Sequence, residues 1–254
     1  MFKLSCYYAF GSTGDHNVTK ILAAWDAAFD SYAQEVLGEL LAKRLIDGVK
    51  FGLETAALSA YSFTECLHWV RLRGGYVLAD LKIFGTPETT RDAVRALARH
   101  ADGITIAAPW GHDASLKAAT EAAGGATLFG CAALTSLGEG ESPSPWTSVL
   151  QAQRQAAYKF ERLGIGGITI GCPELRTLRE EVGFQACKRA TLVLGIRPVW
   201  ADWIANDDQK RTATPKEAVA LCADFIAAGR ALFGTKDYLT AAQNLHREVR
   251  DAGG

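Results

Sequence analysis

Asp80 and Lys82 are the residues in this chain whose types and spacing most directly suggest chemistry. They close the apolar run Val77-Leu78-Ala79 and, standing two residues apart in a segment of strand character, project from one face of the strand. An ammonium held beside a carboxylate stabilises negative charge that develops on a ligand and gives up a proton to it. An isolated surface pair of the same kind does neither and contributes little to stability. Beyond it, Pro87 blocks regular pairing, and residues 88–98 take up helical spacing with Thr86 placed to cap them. The local order is therefore strand, charged strand end, short loop, helix.

The rest of the chain supplies elements to position such a pair. Residues 48–54 form a second strand candidate with a single lysine, Lys50, in otherwise apolar surroundings, and a buried lysine requires a partner or a ligand. Residues 2–10 have the aromatic content of a first strand and run into a polar loop, so residues 1–18 are expected to be first strand and loop. Further strands are predicted at 103–108, 126–134, 166–171, 190–194 and 224–228. Helical spacing covers 18–45 (Leu22, Trp25, Phe29, Tyr32, Val36, Leu40, Leu41), 59–71, 113–123, 146–163, 173–182, 214–223 and 239–252. Residues 138–145 are rich in Gly, Ser and Pro and read as a mobile loop.

Eight strands alternating with helices predict a parallel sheet with right-handed crossovers, and at this length an α/β protein of one domain, a (β/α)8 barrel over residues 1–254. An open doubly wound sheet is the competing architecture, but the Gly-x-Gly-x-x-Gly and P-loop signatures are absent. In a barrel the site lies at the C-terminal ends of the strands, and Lys50, Asp80, Lys82, Thr135, Arg197 and Arg230 all fall at or near such ends.

Composition narrows the partners. Apolar residues make up 48% of the 254, enough for a substantial core, and 27 Lys+Arg against 28 Asp+Glu leave a net charge of -1. No global attraction to nucleic acid or to an anionic membrane follows, so any basic site is local. The six cysteines include no C-x-x-C pair and have no metal-ligand spacing with the five histidines, so no metal site is expected. Several lie in apolar runs, as small buried residues of a protein in a reducing, cytoplasmic compartment would. No apolar run reaches the roughly 18 residues of a membrane span, and the short run 4–10 lacks the cleavage site of a secretion signal.

A local basic site is visible near the C-terminus. Gly195-Ile196-Arg197-Pro198 follows the seventh strand, the polar run Asn206-Asp207-Asp208-Gln209-Lys210-Arg211 precedes the Thr214-Pro215 helix start, and Gly229-Arg230 follows the eighth strand. A phosphate here would use backbone N–H groups beside the glycines, a side-chain amide and guanidinium forks. The alternative is a solvated charged loop, although phosphate sites in barrels often lie beyond strands seven and eight.

These segments together resemble the orotidine 5'-monophosphate decarboxylase family and its barrel superfamily, from about Lys50 to the C-terminus. The residues that carry the resemblance are Val49-Lys50-Phe51-Gly52, Ala79-Asp80-Leu81-Lys82 with Pro87-Glu88-Thr89, Leu134-Thr135-Ser136, Gly195-Ile196-Arg197-Pro198, Asp208-Gln209-Lys210-Arg211 with Thr214-Pro215, and Gly229-Arg230. The resemblance implies a homodimer, without cofactor, that removes the C6 carboxylate of a pyrimidine nucleotide. Lys82 then resembles the acid that protonates C6, and Lys50 and Asp80 resemble its charged neighbours. Thr135 takes the position that reads the pyrimidine edge, Thr89 belongs to the substrate-binding set, and Gln209, Gly229 and Arg230 resemble phosphate ligands, assisted by Arg197. Decarboxylation develops negative charge at carbon, which a preorganised ammonium stabilises and then quenches with its proton.

The departures from the family pattern are specific. That pattern is Asp-x-Lys-x-x-Asp, whose second aspartate reaches the neighbouring subunit's site, and Gly85 stands there in this chain, followed by Thr86. The fourth strand, which commonly ends near a histidine, reads Ile106-Ala107-Ala108-Pro109-Trp110, with His112 further on. Leu192-Val193-Leu194-Gly195 replaces Val-Thr-Pro-Gly. The first-strand aspartate that binds ribose hydroxyls corresponds to Asp26 if residues 21–26 are strand. Their helical periodicity favours helix instead, which would make Asp26 a surface or capping residue and leave Asp15 as a weak substitute. Three functions are compatible with this pattern: decarboxylation of orotidine 5'-phosphate to UMP, a reaction on a different nucleotide 5'-phosphate in a specialised nucleoside pathway, and nucleotide binding without catalysis.

Overall fold

Short apolar runs bounded by Gly, Asp or a capping hydroxyl become the strands, and the amphipathic segments between them become helices. The protein is seen in a computed structural model that describes residues 18–108, 112–138, 141, 148–181, 189–201 and 207–253. In chain order the elements are β1 (Lys20–Trp25), α1 (Ser31–Ala42), β2 (Gly48–Gly52), α2 (Leu53–Leu58), α3 (Phe63–Arg71), β3 (Tyr76–Ile83), α4 (Pro87–Leu97), β4 (Gly103–Ala107), α5 (Asp113–Ala122) and β5 (Thr127–Cys131). They continue with α6 (Val149–Leu163), β6 (Gly167–Ile170), α7 (Cys172–Glu180), β7 (Ala190–Val193), α8 (Pro215–Ala220), β8 (Phe225–Ala228), α9 (Arg230–Phe233) and α10 (Tyr238–Gly253). Each strand pairs in parallel with the next, and β8 returns to β1, closing the (β/α)8 barrel expected from the sequence.

The first strand departs from expectation. Residues 20–25 are strand rather than the start of a long helix, and residues 2–10, expected as the first strand, lie outside the described residues. The reason is burial on both faces. Ile21, Ala23 and Trp25 pack toward the helices while Leu22 and Ala24 join the barrel interior, so β1 is a continuous apolar run without alternation. The true helix begins only at Ser31, capped by Asp30, whose side chain accepts from Ala33 N. A smaller difference concerns Arg230, which opens the short helix α9 instead of a loop.

Parity divides the core. Leu22, Ala24, Leu78, Phe129, Leu192, Phe225 and Ala227 fill the barrel, while the alternate residues of the same strands pack under the helices. Near the N-terminal ends of three odd strands, aspartates bind the barrel together: Asp47 Oδ2 accepts from Ile21 N at 2.7 Å, Asp102 Oδ2 from Val77 N at 2.9 Å, and Asp224 Oδ2 from Thr191 N at 2.7 Å. At the other end, caps fix the helices that follow each loop. Thr86 caps α4 with Pro87 at its first position, as the sequence predicts, and Thr214 with Glu217 forms a capping box on α8. No helix among the described residues is long and apolar enough to cross a membrane.

Candidate active site

Residues of one parity along β2 and β3 point into the barrel, which brings Lys50 and Asp80 together near its C-terminal mouth. The register pairs Gly52 with Asp80, and Lys50 Nζ reaches Asp80 Oδ2 at 3.1 Å. Asp80 Oδ1 in turn accepts from Lys82 Nζ at 2.8 Å, and Lys50 Nζ also donates to Asp26 Oδ1 at 2.9 Å. The four side chains form an alternating line, Asp26, Lys50, Asp80, Lys82. Asp26 therefore stands at the end of β1 as a member of the site and not as a helix surface residue, a correction that follows directly from the strand at 20–25.

Burial and charge set the protonation of this line. Lys50 and Asp80 are almost entirely buried, while the Lys82 side chain keeps 30% of its surface open. Burial alone would push the Asp80 carboxyl up, but the ammonium groups of Lys50 and Lys82 and hydrogen bonds from Lys82 and Thr105 outweigh it and bring the carboxyl down to about 2. Burial likewise works against the charge of Lys50, yet Asp80 and Asp26 overcome it and its pKa is raised. At neutral pH Asp80 is therefore a carboxylate and Lys50 an ammonium. The ammonium of Lys82 is the one that opens toward the cavity.

That cavity has a volume of about 1060 Å³ and is lined by Asp26, Lys50, Asp80, Lys82, Thr135, Arg197, Gln209, Gly229 and Arg230, among others. Eight of the nine residues expected at the site thus share one space. Thr89 is the exception: it lies on α4, with its hydroxyl 3.0 Å from that of Thr86, and does not line the cavity of its own chain. Gly85 has ordinary backbone geometry, and a Cβ there would stand 3.2 Å from the Thr89 side chain. Among the described residues no group of His, Cys, Asp and Glu is arranged to hold a metal ion.

Another part of the cavity lining is basic but internally paired. Arg197 makes a two-pronged contact with Asp207, through Nε and Nη2 at 2.6 Å each, and Arg230 contacts Asp207 at 2.9 Å and also Asp208. Hydrogen bonds from Arg197 to Asp207 and from Arg230 to Asp208 hold both carboxyls below their ordinary range. Gln209 Oε1 accepts from the Thr135 hydroxyl at 2.5 Å, linking the loop after β5 to the loop after β7.

A second tie lies beneath the walls. Arg211 N donates to Thr135 O, and its guanidinium donates to the carbonyls of Leu137 and Leu134. Its Nε lies 3.3 Å from Glu174 on α7, both side chains being nearly buried. That contact is an ion pair rather than an aligned hydrogen bond, since Arg211 Nε and Glu174 Oε2 have no hydrogen-bond partner. Close approach of the loops requires Gly195, which has a φ of 74° and whose Cβ would sit 2.6 Å from Arg211 O.

Cys131 lines the cavity, and burial pushes its thiol up. Cys66, Cys131 and Cys172 are free and buried, and burial pushes the Cys172 thiol up to about 11, consistent with packing rather than reactivity. Cys222 is disulfide-bonded. Of the loop expected at 138–145, only residues 138 and 141 are described. Gly138 N donates to the Glu141 carboxylate, which also pairs with Lys210 at 2.8 Å.

With this geometry in place, comparison with known proteins gives a consistent result. Residues 32–245 match the model of the orotidine 5'-phosphate decarboxylase / HUMPS family. The chain belongs to this family. Relatives include the orotidine 5'-phosphate decarboxylase of Methylococcus capsulatus, 31% identical over 216 residues that cover 83% of this chain and 86% of that protein. That of Nitratidesulfovibrio vulgaris is 29% identical over 240 residues, 91% of this chain and 98% of its own. The crystal structure of the orotidine 5'-phosphate decarboxylase from Lactobacillus acidophilus superposes with a TM-score of 0.71 at 20% identity, covering 91% of this chain and 99% of that one, which supports the fold.

Proposed function

We propose that the protein decarboxylates orotidine 5'-phosphate to UMP, with Lys82 as the proton donor. The observation that carries this reading is the line Asp26, Lys50, Asp80, Lys82 in a cavity that is also lined by Gln209, Arg197 and Arg230. In the reaction the bond between C6 and the carboxylate breaks, carbon dioxide leaves, and the electron pair remains on C6. The Lys82 ammonium stabilises that charge by proximity and gives C6 its proton, and the resulting amine recovers a proton from solvent. Asp80 holds the ammonium in place, Lys50 in turn pairs with Asp80, and Asp26 is placed to meet the ribose hydroxyls. Thr135 reads the pyrimidine edge, and the 5'-phosphate competes with Asp208 for the Arg230 guanidinium.

A homodimer belongs to the same reading. Thr89 follows the Asp-x-Lys stretch, lies outside its own cavity, and would reach the nucleotide only in a partner's site. Sedimentation velocity at micromolar protein tests this, with a two-chain species as the expected result.

Gly85 favours a second reading, in which the same cavity acts on a different nucleotide 5'-phosphate. With glycine at that position Lys82 has one carboxylate partner among the described residues of its own chain, Asp80, and the motif brings no second one. Measuring carbon dioxide release from orotidine 5'-phosphate separates the two: Lys82-dependent turnover supports the first, and tight binding of UMP without turnover supports the second.

A further inference from the structure

The backbone at Lys82 is held in a conformation that lysine rarely adopts. Its φ is 47°, in the left-handed region, at the point where the pairing of β3 with β4 shifts register between Ala79 and Ile83. Such a conformation persists only where the surroundings enforce it. Here one buried side chain does so. Thr105, in the middle of β4 and without solvent exposure, accepts from Lys82 N at 2.9 Å. Its hydroxyl donates to Asp80 Oδ1 at 2.8 Å, the same oxygen that receives the Lys82 ammonium.

The roles in this triangle are fixed by chemistry. The Lys82 amide only donates and the Asp80 carboxylate only accepts, so the single hydroxyl proton of Thr105 must point at Asp80 while a lone pair faces the amide. We infer that Thr105 is a positioning residue of the reaction. It pins the turn of chain that aims the Lys82 ammonium into the cavity and orients the carboxylate oxygen on which that ammonium rests. A valine would fill the same volume but leave a buried amide and a carboxylate oxygen each short of a partner. A serine would keep both hydrogen bonds. The inference rests on Lys82 being the proton donor, and its test separates failure of the two.

The variants Thr105→Val, Thr105→Ser and Lys82→Ala of the full chain are compared by carbon dioxide release from orotidine 5'-phosphate, UMP calorimetry and thermal melting, and Thr105→Val is crystallised. Thr105→Val is expected to lower kcat about 100-fold while KM and UMP affinity stay within about threefold. Thr105→Ser is expected to recover most of the rate. In the Thr105→Val crystal, the Lys82 backbone is expected to leave the left-handed region and Nζ to move off Asp80. Should Thr105→Val not fold, Thr105→Cys, a poorer donor and acceptor, serves in all three assays. If Lys82→Ala abolishes turnover but Thr105→Val retains wild-type kcat, the positioning role is wrong and the proton donor stands. If Lys82→Ala matches wild type, the proton-donor reading fails, and the crystal structure then decides the bracket alone. A Lys82 backbone unchanged in Thr105→Val overturns it.

Discussion

The two ends of the barrel use the same residue type for opposite purposes. At the N-terminal end, Asp47, Asp102 and Asp224 accept hydrogen bonds from the backbone N–H groups of the neighbouring strands. At the C-terminal end, Asp26 and Asp80 accept from the ammonium groups of Lys50 and Lys82. The first arrangement pairs a carboxylate with a fixed dipole and locks strands together. The second pairs carboxylates with ionisable side chains, of which Lys82 is the more open to the cavity. Position in the barrel, and with it the available partner, decides whether an aspartate only ties strands together or also faces a cavity.

The comparison breaks most visibly at Asp80. Asp80→Asn leaves two ammonium groups beside a neutral amide in the interior. Turnover is expected to vanish and stability to fall by about 3 kcal/mol, measured by carbon dioxide release and denaturant unfolding on the same sample. Next in size is Arg230→Gln, which removes charge-assisted contacts from the basic part of the cavity. UMP affinity is expected to fall by about 2 kcal/mol, read by calorimetry, with the thermal midpoint little changed because Asp208 is largely exposed and Asp207 keeps its two-pronged contact with Arg197.

Acid unfolding sharpens the contrast further. The folded-state value of Asp80, about 2, lies below its ordinary value of 3.8. Its ionisation therefore stabilises the fold above about pH 4, and that contribution, about 2 kcal/mol, is lost as pH falls from about 4 to about 2. Asp80→Asn is expected to flatten that part of the stability curve. The smallest effect belongs to the other end. Asp102→Ala leaves Val77 N without its acceptor and is expected to cost about 1–2 kcal/mol in denaturant unfolding, with UMP affinity unchanged. A large loss of affinity there would erase the distinction between the two ends.

Most of the barrel was legible in the sequence because β2 to β8 alternate with amphipathic helices and are punctuated by Gly, Pro and capping hydroxyls. β1 was not, because Ile21 to Trp25 is buried on both faces and its apolar positions mimic helical spacing. Misreading β1 also displaced Asp26, which becomes a site residue only when strand geometry ends the element beside it. Lys50, Asp80 and Lys82 stood out because charge inside apolar strands is costly and demands a reason. Thr105 gave no such signal: a threonine in Gly103–Ala107 is ordinary strand composition, and the role inferred for it depends on a backbone angle on the neighbouring strand, at Lys82. Thr89 was singled out from its motif, yet only the fold shows that it lies outside its own cavity.

The most direct test of the central claim is the rate of carbon dioxide release from orotidine 5'-phosphate by the wild-type protein and by Lys82→Ala, each shown by calorimetry to bind UMP. The expected result is turnover in the wild type and a loss of about 10³-fold or more in the variant. Equal rates in two proteins that both bind UMP would contradict the assignment of Lys82 as the proton donor.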